Sequence, residues 1–143
     1  MTVTRAQVVA EARRWIGVPY KKAGAHKIGC NCMGLIFGVA RELGMDEFWN
    51  VFVPYQGMAR PESNFSLVSH MRRLCTSIPL RDVQPADLLL YVSGGNTASH
   101  IAWVVDRKGP QMTIIHADIM AKKVVEIEAR DRALKAYQVP GVV

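Results

Sequence analysis

Residues 27–44, "KIGCNCMGLIFGVARELG", decide how this chain is read. Cys32, Leu35, Ile36, Val39, Ala40 and Leu43 recur at the i, i+3, i+4, i+7 spacing that lines one face of a helix, and Gly44 stands where a C-terminal cap belongs. Asn31 is a good N-cap, which makes Cys32 the first helical residue. There the unpaired backbone N–H groups and the positive end of the helix dipole favour a thiolate. Cys30, outside the helix, gains neither. A cysteine on an apolar stripe is also an ordinary small core hydrophobe. Stripe and cap together single out Cys32, as a core thiol or as a nucleophile.

Other uses of the cysteines fit less well. A structural zinc site asks for paired ligands at a wider spacing than Cys30 and Cys32 offer, and no second Cys/His pair follows. His26 and Cys75 would complete a ligand set only by accident of the fold. Three cysteines leave at least one thiol free, so they form no disulfide framework, and a reduced interior is expected. A single domain over 1–143 buries roughly 68–70% of its unfolded surface and needs no metal staple. No metal or cofactor is expected.

The net charge of +6 favours an acidic partner. The bases come as short pairs, Arg13-Arg14, Arg72-Arg73 and Lys122-Lys123, without interleaved aromatics. That is not the pattern of a nucleic-acid binder, whereas an anionic polymer fits. The start, "MTVTRAQVVAEARRW", is charged throughout and lacks the apolar core of a signal peptide. No stretch approaches the ~18 apolar residues of a membrane span. Synthesis in the cytosol is expected, with any work outside needing another route of delivery.

Along the chain, Thr4 and Gln7 form a capping-box pattern, and Val8, Val9, Ala12, Trp15 and Ile16 fall on one face of a first helix that Gly17 and Pro19 end. "VPYKKAGAHKIG", 18–29, reads as a long loop and hence a candidate functional one. Residues 45–63 read as irregular, and a third helix is expected from Phe65 to Cys75. After that come strand-like runs, "LLLYV", "HIAWVVD", "MTIIHA" and "KVVEIE", joined by short turns that imply antiparallel neighbours. Helices first and a meander after is an α+β layout.

A thiolate nucleophile needs a base within reach and a group to orient that base. His100 begins one strand and His116 ends the next. A hairpin turning at 106–111 sets both at its open end on adjacent strands. Facing a helix N-terminus, such a pair has the triad geometry of cysteine hydrolases. His26 and His70 read as surface or satisfied histidines.

These residues resemble a known family. "WIGVPY", "GCNCMGLIFGVARELG", "PADLLLY", "SHIAWVVD" and "IIHADIMAKKVVE" are similar, in order and spacing, to the NlpC-type papain-like peptidases of bacterial cell walls, above all the branch encoded with bacteriophage tail genes. The matching blocks run from about residue 12 to residue 127. The resemblance implies a papain-like α+β fold, with N-terminal helices on an antiparallel sheet. It also implies Cys32 as nucleophile, His100 as general base and His116 as third polar residue. Tyr20 of the "PY" element would assist oxyanion binding or substrate positioning.

The implied reaction is hydrolysis of an amide in the peptide stem of peptidoglycan, without a metal. Phage tail proteins are the implied partners, and a virion is the implied vehicle. One position departs from the family: Asn31 stands where an aspartate usually precedes the nucleophile. Asparagine caps a helix as well as aspartate does, but a negative charge beside the cleft is gone, so a weaker demand for a free substrate amine is expected. A non-catalytic tail or wall-binding module of the same fold, or an acyltransferase using the same thiolate, are the competing readings.

Overall fold

Thr4 sets the first element. Its hydroxyl accepts the Gln7 N–H at 3.1 Å, and the Gln7 side chain accepts the Thr4 N–H at 2.8 Å, so the cap read from sequence is closed in both directions. Helix α1, Arg5–Arg13, follows. The computed structural model describes residues 2–45, 71–92, 98–129 and 133–143. Val8, Ala12 and Trp15 are buried as their spacing implied, but Ile16 is 46% exposed. The helix stops at Arg13 and the chain turns through Gly17 at φ +90°, which breaks the period before Ile16.

Helix α2, Cys32–Glu42, is more deeply embedded than one apolar stripe implies. Every residue from Met33 to Ala40 is buried. Two glycines permit this. A Cβ on Gly34 would run into the carbonyl of Gly24, and one on Gly38 would lie 2.8 Å from Cζ2 of Trp15. Helix backbone therefore packs directly on loop backbone and on an aromatic ring, where a side chain would force the elements apart.

The 18–29 stretch, expected to be a loop without structure, holds a short hairpin. Strands β1 (Ala25–His26) and β2 (Gly29–Cys30) pair antiparallel. Two-residue strands carry no readable alternation, which is why sequence pattern passes over them.

The main sheet has the order β3-β8-β4-β5-β6-β7. The expected meander runs from its middle to one edge: β4 (Leu88–Val92), β5 (Ala98–Lys108), β6 (Gln111–Asp118) and β7 (Lys123–Glu128). Two further strands were not expected. β3 (Thr76–Ile78) pairs with β8 (Ala133–Gln138), and β8 inserts beside β4. The apolar runs of β4 and β5 are nearly continuous because both faces are covered. Leu88, Leu90, Ile101, Trp103 and Ile115 join α1 and α2 in one core, while Leu89, Ala102, Val104 and Ile114 pack on the other face. Arg5 ties α1 to the entry of β4 through the buried carboxylate of Asp87, at 2.8 Å. Of the expected third helix, residues 71–74 are helical and Cys75 already bends out of it; residues 65–70, including His70, and the irregular stretch after Met45 lie outside the described residues.

Gly34→Ala should cost on the order of 1–3 kcal/mol, as overpacking of a closed contact does. A urea midpoint unchanged from wild type would contradict the close approach to Gly24.

Candidate active site

The N-terminus of α2 is held by its own cap. Asn31 Oδ1 accepts the Gly34 N–H at 2.7 Å, and the Asn31 N–H is donated to the Gly24 carbonyl at 3.1 Å. Cys32 is thereby fixed as the first residue of the helix. It is partly exposed, whereas Cys30 and Cys75 are buried, and all three are free thiols. Burial pushes the Cys30 and Cys75 thiols up to about 12, Cys30 with a contribution from its neighbour Cys32. Burial pushes Cys32 up as well, but the backbone N–H groups of Ile101, Met33 and Cys32 itself oppose it by favouring the thiolate. The N–H of Ile101 matters most for geometry: it places the Cys32 sulfur against β5, one residue from His100.

That part of β5 lies in a wedge. The pairing of β5 with β6 runs from Lys108↔Gln111 to Trp103↔Ile115. Beyond it, His100 is paired with Tyr91 of β4, and His116 with Val125 of β7. Continuing the β5–β6 register would set His116 opposite Ala102, so the two histidines are diagonal neighbours on one face, within reach of each other's rings. They meet across the wedge: His100 Nε2 lies 2.6 Å from His116 Nδ1, with the rings edge-on at 4.9 Å between centroids. One nitrogen of this pair carries the proton. With His100 Nε2 engaged, its Nδ1 is the nitrogen left for another partner.

His116 is buried at 5% exposure, and its Nε2 lies 4.0 Å from Asp118 Oδ2. The other Asp118 oxygen, Oδ1, accepts the Met120 N–H at 2.9 Å. Asp118 was passed over in sequence, although its signal is present. Residues two apart on a strand share a face, and "HAD" puts a carboxylate two positions from the histidine.

Tyr20 joins the same region from the other side. It bridges to Cys30 of β2, and its N–H is donated to the Lys122 carbonyl at 2.9 Å. Burial lifts its hydroxyl above the usual phenol range, and Cys32 and Cys30 add to the lift, which sets the ring beside both thiols. Thus Tyr20, Asn31, Cys32, His100 and His116 gather at one end of the sheet. His26 is exposed on β1. Among the described residues, no three His, Cys, Asp or Glu side chains are grouped to hold a metal ion, and no helix is long and apolar enough to cross a membrane.

No family model and no curated protein sequence matches the chain. Solved structures do. The NlpC/p60 domain of the peptidoglycan hydrolase SagA superposes with a TM-score of 0.64 at 24% identity, covering 96% of this chain and all of that one, 100%. An NlpC/P60 family protein from Bacillus cereus gives 0.69 at 16% identity over 97% of this chain. A protein from Staphylococcus aureus, described as similar to lipoprotein and of the NLP/P60 family, gives 0.60 at 21% identity over 94% of this chain.

This is the NlpC/P60 fold.

The chain spans 41% of the length of each of the latter two proteins. At these identities the likeness concerns architecture. Within the NlpC/P60 fold, this chain places a helix-capped thiol beside a pair of bonded histidines, a set able to activate a nucleophile and move its proton.

Two outcomes test the site as built. Iodoacetamide on the folded protein should modify Cys32 ahead of Cys30 and Cys75, read by peptide mass mapping; equal labelling of all three would contradict the burial pattern. Asn31→Ala should lower stability by about 0.5–2 kcal/mol, while Asn31→Asp leaves it near wild type. Equal losses in urea titrations would show that the cap is not what holds this turn.

Proposed function

We propose that the chain is a cysteine peptidase or amidase that hydrolyses amide bonds in the peptide stem of bacterial peptidoglycan. The observation that carries this reading is the 2.6 Å contact between His100 and His116, made in the wedge of the sheet where the N-terminus of α2 presents Cys32. A structural thiol needs no such partner set. His100 takes the Cys32 proton at Nδ1, and the thiolate attacks the amide carbonyl. The tetrahedral oxyanion is met by N–H groups at the start of α2, with the Tyr20 hydroxyl beside the thiol as a further donor. His100 returns the proton to the leaving amine, water then cleaves the thioester, and His116 keeps the imidazole oriented through both halves.

Support for a wall substrate comes from the NlpC/P60 fold itself and from the SagA domain, whose parent is named a peptidoglycan hydrolase. The five sequence blocks that resemble phage-tail peptidases add delivery by a phage or prophage tail to the reading. The Asn31 cap, without a carboxylate charge, supports a site that accepts stem peptides lacking a free N-terminal amine.

Purified sacculi incubated with wild-type protein should release muropeptides identifiable by mass, and Cys32→Ser should abolish release, a loss of about 10³-fold or more. Wall binding that persists in Cys32→Ser with no turnover by either protein would favour a binding module and overturn the peptidase. Products carrying a new amine or lipid acceptor in place of water would convert the reading to acyl transfer.

A further inference from the structure

Asp118 stands at the end of the histidine pair and has no part in the reaction as described above. Its two oxygens are committed in different directions. Oδ1 accepts the Met120 N–H at 2.9 Å, and Oδ2 faces His116 Nε2 at 4.0 Å. The backbone contact pins the carboxylate with its second oxygen toward the buried ring, at an ion-pair distance beyond hydrogen-bond reach of Nε2. Negative charge at that place favours a proton on Nε2 of His116 over one on Nδ1. Because the His116 Nδ1 lies 2.6 Å from the His100 Nε2, only one of those two nitrogens carries hydrogen.

We propose that Asp118 is a positioning residue that sets the proton pattern of both histidines. It holds the His116 proton on Nε2. His116 Nδ1 then accepts from His100 Nε2–H, and His100 Nδ1 is left bare as the nitrogen that takes the Cys32 proton. With the His116 proton moved to Nδ1, that ring donates to His100 Nε2. The His100 proton shifts to Nδ1, and the base is lost. Among the described residues, further polar and charged groups near this relay include Lys123, opposite Asp118 in the β6–β7 register, the Tyr91 ring 6.4 Å from His100, and Tyr20 beside Cys32.

The kinetic arm of the test rests on the peptidase reading; the spectroscopic arm does not. Asp118→Asn is the informative variant, because the Met120 N–H continues to claim the amide oxygen and so turns the NH2 group toward His116. That supplies a donor where an acceptor is needed. Asp118→Ala removes the turn contact and introduces no wrong donor. Two-bond ¹H–¹⁵N spectra of the imidazoles should show His116 protonated at Nε2 in wild type and shifted toward Nδ1 in Asp118→Asn. On muropeptide substrate, Asp118→Asn should lower kcat by on the order of 10- to 100-fold with KM nearly unchanged, and should be the more damaging of the two. That is short of the ~10⁴ loss when a directly bonded aspartate of a serine protease is changed in the same way. A purely structural Asp118 gives the reverse order, since asparagine preserves the turn and alanine does not. Unchanged Nε2 protonation in Asp118→Asn, or alanine the worse variant, overturns the proposal. Wild-type protein without turnover overturns the peptidase reading instead, and the spectra still decide the role of Asp118.

Discussion

Everything at this site depends on how closely the start of α2 approaches the loop that carries Gly24. Gly34 presses its backbone on the Gly24 carbonyl, and that same carbonyl accepts the N–H of Asn31 at 3.1 Å. One loop oxygen thus fixes both the residue before the candidate nucleophile and the first turn after it. The rest of the segment is zipped to match: the Cys30 N–H is donated to the Pro19 carbonyl at 3.0 Å and the Lys21 N–H to the Cys30 carbonyl at 2.9 Å. Tyr20 is carried to the thiols by this backbone pairing. A glycine in "NCMG" and a tyrosine in "VPY" are consequences of one packing constraint.

The second constraint is electrostatic. A sulfur at this depth is poorly solvated, and desolvation alone drives Cys32 toward the neutral thiol. Three backbone N–H groups pull the other way, two from the start of α2 and one from Ile101 on β5. They are dipoles, and they do not accept a proton. A nucleophile in this position therefore depends on the imidazole one residue from Ile101. That imidazole depends on His116, and His116 is 5% exposed, where its orientation is set by protein groups more than by water. The separation of β5 from β6 beyond Trp103 and Ile115 is what makes room for the pair.

Much of this was legible in the sequence because it is local. The reciprocal cap at Thr4 and Gln7, the Asn31 cap and the period of α2 all reside in contiguous residues, and so do the four strands of the meander with their turns. The adjacency of His100 and His116 follows from one hairpin. What escaped was non-local or too short to have a period. β8 reaches its place between β3 and β4 from the far end of the chain, and "ALKAYQ" mixes alanine and lysine with little alternation to announce a strand. The hairpin at 25–30 is too brief to show a period. Ile16 continues the apolar stripe of α1 yet is exposed, since a helical stripe says nothing about where the helix stops. The burial of α2 on all sides is a property of its two glycines, whose role depends on the carbonyl and the ring they meet.

The central claim is that Cys32, a thiol that burial holds above the ordinary value, gives its proton to His100 when it reacts. The rate of Cys32 alkylation by iodoacetamide against pH, read by peptide mass mapping, measures this directly. Wild type should react at neutral pH, and His100→Ala should lose most of that reactivity and regain it only above the ordinary thiol value of 9.0, because burial then acts without a base to offset it. Equal Cys32 rates in wild type and His100→Ala across that range would contradict the account.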